Sequence, residues 1–169
     1  FVKNHSEINF VFKPHPLLPF QINEHYKKKE ISFSRSDYEK YFDEWNNLPN
    51  GIAVTGGDYI SLFKKSSCLI TDCGSFTGEY LPSCNPCIYI FNPRKEKQKD
   101  AYNSLAQNIL NTYYISNSEA ELLDYMQKII IEQLDEKKTA REELLKSEFS
   151  NIGQAGDFIY TYLKNEIKK

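Results

Sequence analysis

The sequence predicts an α/β fold: a three-layer sandwich around a mainly parallel sheet, followed by C-terminal helices. Three observations carry this. Short apolar runs alternate with amphipathic segments of helical spacing through residue 134. The runs are apolar along their whole length, as strands covered on both faces should be. Gly, Pro, Asn and Asp punctuate the joins. The 169 residues suit one domain with a substantial core, and a hydrophobic content of 40% with 14% aromatics argues for a folded globule.

The elements follow in order. Asn9 to Lys13 is an apolar run stopped by Pro14 and Pro16, a strand feeding a loop at its C-terminal end. Leu17 to Lys29 reads as a helix ending in solvated charges, and Ile31 to Ser34 as a weak strand. Ser36-Asp37 is expected to cap the next helix, whose Tyr38, Tyr41, Phe42 and Trp45 recur at core spacing. Asn50-Gly51 precedes a strand at Ile52 to Thr55, and Gly56-Gly57 turns the chain into a helix begun by Asp58. Cys68 to Thr71 is a strand, Ser75 to Leu81 a helix that Pro82 ends, and Cys87 to Phe91 a further strand. A charged loop at 92 to 98, a helix at 100 to 110, a short strand at 113 to 115 and a long helix at 119 to 134 come next. A charged segment from Asp135 to Phe149 and a closing helix from Gly153 to Ile167 form a helical C-terminal part, 135 to 169, of one domain.

Charge and cysteines narrow the function. With 21 basic and 23 acidic residues the net charge is −2, which argues against a nucleic-acid partner. No apolar run approaches the roughly 20 residues of a membrane span, so no transmembrane segment is expected. The chain opens at Phe1 in mid-pattern, without Met or a signal-like segment, and reads as a piece of a longer protein. Cys84 and Cys87 form a Cys-x-x-Cys, but Asn85-Pro86 leads into a strand where redox motifs open a helix. Cys68 and Cys73 complete a set whose spacing suits zinc poorly, so all four are read as structural or incidental. Reduced thiols fit a cytoplasmic setting.

Residues 69 to 81, Leu-Ile-Thr-Asp-Cys-Gly-Ser-Phe-Thr-Gly-Glu-Tyr-Leu, carry the strongest chemical signal. A strand that ends in a small-residue turn and restarts as a helix presents unpaired backbone N–H groups at one point, which suits phosphate. Ser75 can cap that helix or donate its hydroxyl to the anion. Gly74 allows close approach of the backbone. Asp72 either orients the turn by bonding its backbone or contacts ligand. Glu79, one turn after Ser75, can accept the hydroxyls of a ribose; a plain surface Glu is the simpler reading. Upstream, Lys13 is either a phosphate ligand or a rim charge. His15, stiffened between two prolines, is either a general acid or phosphate donor, or a histidine bonded to its own loop. Parallel sheets bind ligands outside the carboxyl ends of their strands. Three turns are therefore expected on one rim: 13 to 15, the Thr55, Gly56 and Asp58 turn, and 71 to 75. There is no Walker lysine motif and no Gly-x-Gly-x-x-Gly, so an ATPase or dinucleotide oxidoreductase is disfavoured.

Phe-Lys-Pro-His-Pro-Leu-Leu at 12 to 18, Leu-Ile-Thr-Asp-x-Gly-Ser-Phe-x-x-Glu-Tyr-Leu-Pro at 69 to 82 and Asn-Pro-Cys-Ile-Tyr-Ile at 85 to 90 together resemble one family, as does the Asn-Ile-Gly-Gln-Ala-Gly segment before the last helix. The chain resembles the C-terminal half of the CDP-glycerol glycerophosphotransferase family, the teichoic-acid and capsule-polymer transferases of GT-B fold. The resemblance implies a Rossmann-like domain that binds a nucleotide-activated polyol or sugar donor, CDP-linked in the family's case. It implies a partner N-terminal domain, absent from this chain, that takes a polymer or lipid-linked acceptor. His15 falls in the family's His-Pro motif, implicated in donor phosphate contact or catalysis. Thr71, Gly74 and Ser75 match its donor-holding segment, with Cys73-Gly74 standing where the family has Tyr-Ser. The strand that usually opens the domain is also absent, so the sheet is expected to be incomplete or completed by another segment.

These readings converge on a transferase for bacterial surface polymer, cytoplasmic or peripheral at the inner face of the plasma membrane. Direct displacement would release a nucleotide stabilised by the helix start and His15, and needs no metal or cofactor. Two alternatives stay open. One is a sugar-nucleotide epimerase or hydrolase of the same architecture, for which only Asp58, Asp72 and Glu79 are placed as carboxylates. The other is a non-catalytic interaction module.

Overall fold

The computed structural model describes residues 1–92, 102–149 and 151–167. The fold is α/β, and every strand pairing is parallel. Two compact units divide the chain at Tyr59.

The first unit, Phe1–Tyr59, contains β1 (Phe10–Phe12), α1 (Leu18–Lys27), α2 (Arg35–Asn46) and β2 (Gly51–Ala53). β1 and β2 pair with Val11 opposite Ile52. Proline at the start of α1 suits it, because the first N–H groups of a helix lack intrahelical partners anyway. α2 begins two residues earlier than expected. Ser34, not Ser36, is its N-cap: the hydroxyl accepts from the Asp37 N–H at 3.2 Å, and the Asp37 carboxylate accepts from the Ser34 N–H at 2.9 Å. That reciprocal box, which also holds the Asp37 carboxyl below its usual range, uses the backbone that a strand at Ile31 to Ser34 would have needed, so no strand forms there. The aromatic stripe of α2 packs on β1 as expected. Phe12 stacks on Trp45 with centroids 5.3 Å apart and meets Tyr41 edge-on at 5.5 Å.

Asn50 anchors the segment that precedes β1. Its side chain is buried, and its Nδ2 donates to the carbonyls of Val2, His5 and Ile8 at 2.8–3.0 Å. One face of the sheet remains open, with Val11 and Ile52 about half exposed. No strand among the described residues pairs with the edge of β1 opposite β2. Two strands rarely make a stable sheet, and parallel ones are normally covered on both faces.

The second unit, Ile60–Lys169, takes most of α3 (Tyr59–Lys65), then β3 (Leu69–Thr71), α4 (Gly74–Tyr80), β4 (Cys87–Ile90), α5 (Ser104–Asn111) and β5 (Tyr114–Ser116). These are followed by α6 (Glu119–Met126), α7 (Lys138–Glu148) and α8 (Ala155–Ile167). The strands lie in the order β3-β4-β5. Tyr80, Leu81, Cys87, Ile88 and Tyr113 are fully buried at its centre. Tyr80 meets Phe63 edge-on at 5.1 Å, and its hydroxyl reaches the Ser66 hydroxyl at 3.0 Å. Residues 93–98 of the expected charged loop and the first two of the expected 100–110 helix lie outside the described residues. Asn103 caps α5 through the Ala106 N–H. The long helix expected over 119–134 is shorter: α6 widens into a π-helical turn at Gln127–Ile131 and stops.

The segment from Asp135 to Phe149 is an anchor as well as a charged surface. Arg141 of α7 is completely buried. Its Nε donates to the Cys84 carbonyl and its Nη1 to the Thr112 carbonyl, both at 3.1 Å, while Nη2 is paired with the Asp135 carboxylate. Its guanidinium lies 5.9 Å from the centre of the Tyr113 ring. Lys137 donates to the carbonyls of Asn111 at 2.9 Å and Tyr113 at 2.6 Å. Two cations thus satisfy carbonyls left open at the end of α5. Asp135 is held in turn by the Tyr114 hydroxyl at 2.9 Å, and burial, followed by that contact, pushes the Tyr114 phenol up to about 12.

A buried charge that keeps its partners contributes little net stability, but stripping one partner away is costly. Arg141→Ala should therefore lower the unfolding free energy by about 3–5 kcal/mol, and Arg141→Met by clearly less. Urea denaturation followed by far-UV circular dichroism measures both. A loss in Arg141→Met too small to detect would show that packing, not charge pairing, fixes α7.

Candidate functional site

The sequence-predicted residues fall in both units. In the first, β1 delivers Lys13 and His15 to the loop beyond its C-terminal end, and β2 delivers Thr55, Gly56 and Asp58. Lys13 and the glycine turn meet: the Lys13 ammonium donates to the Gly56 carbonyl. Gly56 and Gly57 have φ of 63° and 75°, left-handed values that favour glycine. Lys13 therefore holds the turn. Thr55 and Asp58 are exposed. His15 is exposed too, and its Nδ1 accepts from the Leu17 N–H at 3.2 Å. That bond places the proton of the neutral ring on Nε2, so the imidazole presents a donor outward.

In the second unit, Thr71, Asp72, Gly74, Ser75 and Glu79 are brought together where β3 becomes α4. The bond shaping the turn comes from Thr71, whose Oγ1 accepts the Cys73 N–H at 3.1 Å. Asp72 is exposed and supplies no hydrogen bond to the turn among the described residues, which removes the expected orienting role. Cys73 is the N-cap, in extended conformation, and its side chain accepts nothing from the helix. Ser75 is the second helical residue and so cannot cap; its hydroxyl lies 3.3 Å from the Cys73 sulfur. The Phe76 N–H reaches the Cys73 carbonyl at 3.2 Å. The N–H groups of Gly74 and Ser75 find no protein acceptor among the described residues. Glu79 follows one turn later, exposed.

Below this turn the helix is fixed from inside. The Thr77 hydroxyl donates to the Gly74 carbonyl at 2.6 Å, and the Tyr113 hydroxyl donates to the Thr77 carbonyl at 3.2 Å. Two further tyrosines border the turn, and neither was picked out as a site residue. Tyr89, from the C-terminal half of β4, is buried and hydrogen-bonded to Tyr102. Burial first, and that bond second, push its hydroxyl above the ordinary phenol range. Their signal was faint. Tyr89 reads as one more residue of an apolar strand, and Tyr102 follows a charged stretch with no pattern of its own.

Among the described residues no three His, Cys, Asp or Glu side chains gather as a metal site, and no helix is long and apolar enough to cross a membrane. Two shallow surface hollows lie elsewhere. Tyr26, Lys29 and Ile31 help to line one, Gln154 and Phe158 the other. Comparison with protein-family models, with curated proteins and with solved structures gives no match.

All four cysteines are free thiols. Burial pushes the Cys68 thiol up to about 12, and Cys87 is raised as well, chiefly by burial. A raised thiol stays protonated and unreactive until the pH nears that value. At pH 8.5 about one Cys68 in a few thousand is thiolate, against about half of an ordinary cysteine. Iodoacetamide should accordingly label the partly exposed Cys73 well before Cys68 or Cys87 in the folded protein, and all alike in urea. Peptide mass mapping reads the order; early labelling of Cys68 would contradict its raised thiol.

Proposed function

We propose that this chain is the donor-nucleotide-binding part of a transferase that builds bacterial surface polymer, teichoic acid or capsule polysaccharide, of the kind its motifs resemble. One observation supports the reading above the others: α4 starts without a side-chain cap at the C-terminal end of a parallel strand, and beside the Ser75 hydroxyl the N–H groups of Gly74 and Ser75 meet no protein acceptor among the described residues. Three such donors match the oxygens of a diphosphate. α4 is short, so these local donors matter more than any helix-long dipole. Glu79, one turn further on the same face, is the group to accept ribose hydroxyls.

In this reading the donor is a nucleotide-activated polyol or sugar. The acceptor is a polymer or lipid-linked chain held by a further, N-terminal domain, at the inner face of the plasma membrane. The acceptor hydroxyl attacks the phosphate or anomeric centre, the bond to the nucleotide breaks, and the nucleotide departs carrying the negative charge. The donors at 74 and 75 stabilise that charge. In the family the motifs resemble, the His-Pro motif that His15 matches is implicated in donor phosphate contact or catalysis, and the His15 Nδ1 here accepts from the Leu17 N–H.

Calorimetric titration of the chain with CDP, UDP and CMP tests the proposal. Binding should favour a diphosphate over a monophosphate. Ser75→Ala removes one neutral donor and should cost about 0.5–1.5 kcal/mol, a several-fold weaker Kd. Gly74→Val, which crowds the turn, should abolish the heat. No heat from any of the three nucleotides would overturn the reading in favour of a non-catalytic module, and unchanged affinity in Gly74→Val would place the ligand elsewhere.

A further inference from the structure

Gly74 has a reason to be glycine that its dihedral angles do not supply. A Cβ built on residue 74 would lie 2.7 Å from the Tyr102 hydroxyl oxygen and 3.5–3.6 Å from two carbons of that ring. Real Cβ atoms do not approach an oxygen so closely, so the Tyr102 ring edge occupies the space any side chain at 74 would take. Tyr102 is held there from the other side, because the hydroxyl of buried Tyr89 is bonded to it. Tyr102 has further support at its backbone, where its carbonyl accepts from the Gln107 side chain at 2.9 Å. The same ring thus touches the first residue of α4 and the end of β4, both in the second unit.

We propose that Tyr102 is a latch on the β3–α4 turn, seated in the gap left by Gly74 and fastened by Tyr89, and that a nucleotide diphosphate entering the turn must lift it. The proposal rests on the reading of that turn as a diphosphate site. A ligand oxygen at the Gly74 N–H and the phenol oxygen beside Gly74 compete for one small volume. The latch would make unfilled turns dry and filled turns selective. A ligand too weak to displace the phenol gains nothing from the donors beneath it.

Nitration by tetranitromethane, mapped by mass spectrometry on the intact 169-residue chain, reads the latch without assuming a ligand. Tyr102 and Tyr89 should react slowly in the wild type. Gly74→Ala puts a methyl group where the phenol sits and should speed nitration of Tyr102 several-fold. Should that variant fail to fold, Tyr102→Phe removes the hydrogen-bond partner of Tyr89, whose nitration should then rise. Unchanged rates in a folded variant overturn the latch.

A second arm adds CDP or UDP. Where calorimetry shows binding, Tyr102 should nitrate faster with nucleotide present; binding with no change in Tyr102 refutes the latch and leaves the diphosphate reading standing. Where neither nucleotide binds, the ligand-dependent half of the proposal falls with the diphosphate reading, and the nitration of Gly74→Ala alone decides whether the ring is seated as described.

Discussion

A guanidinium sealed from water is the constraint on which the second unit depends. Arg141 cannot shed its charge, so it must be met by acceptors wherever it is buried. It finds them at three points that are distant in sequence: the carbonyl of Cys84 before β4, the carbonyl of Thr112 at the end of α5, and the carboxylate of Asp135. The fixed fork of N–H donors turns those three points into one geometry. From there a line of hydrogen bonds runs toward the candidate site. Thr112 is followed by Tyr113, the Tyr113 hydroxyl reaches Thr77, and the Thr77 hydroxyl reaches Gly74. The start of α4 is thus tied by bonded groups to a clasp on the other side of the core. That is the kind of support a binding turn needs if its backbone donors are to stay aimed while empty.

Much of the architecture was legible because it depends on local rules. Short apolar runs became parallel strands, and Pro82 ended α4, which passes into a single tight turn at Leu81–Ser83. Tyr41, Phe42 and Trp45 of the aromatic stripe packed on Phe12, and Tyr38 on Phe42. The misreadings came where two local signals competed. Ser34 and Ser36 both precede a helical pattern, and Asp37 decided between them by completing the box with Ser34. Asp135 to Phe149 looked like a solvated face because its charges outnumber its apolar residues. What makes Arg141 a core residue is the set of carbonyls it meets, and no pattern within its own helix announces them. Asn50 is similar. It reads as a turn residue beside Gly51, yet its amide gathers three carbonyls from a segment more than forty positions earlier.

The candidate site divides the same way. The strand–turn–helix from Leu69 to Tyr80 follows from its small residues, and the structure builds it. Which atoms shape the turn did not follow. Thr71 supplies a bond in the turn where Asp72 was one candidate to do so, and Ser75 sits inside the helix, which leaves the second of its two expected roles, donation to an anion. The second change has a chemical consequence. A capping serine would spend its oxygen on a backbone N–H; the Ser75 hydroxyl pairs instead with the Cys73 sulfur, and the Gly74 and Ser75 N–H groups meet no protein acceptor among the described residues.

The central claim is that these groups take the oxygens of a nucleotide diphosphate. The most direct measurement is a titration of the ¹⁵N-labelled chain with CDP, following backbone amide resonances. The account predicts that the Gly74 and Ser75 amides shift first and furthest downfield, with Phe76 and Thr71 following, and that inorganic phosphate moves the same amides less. Saturating shifts confined to other residues, or none at 74 and 75 while CDP binds, would contradict it.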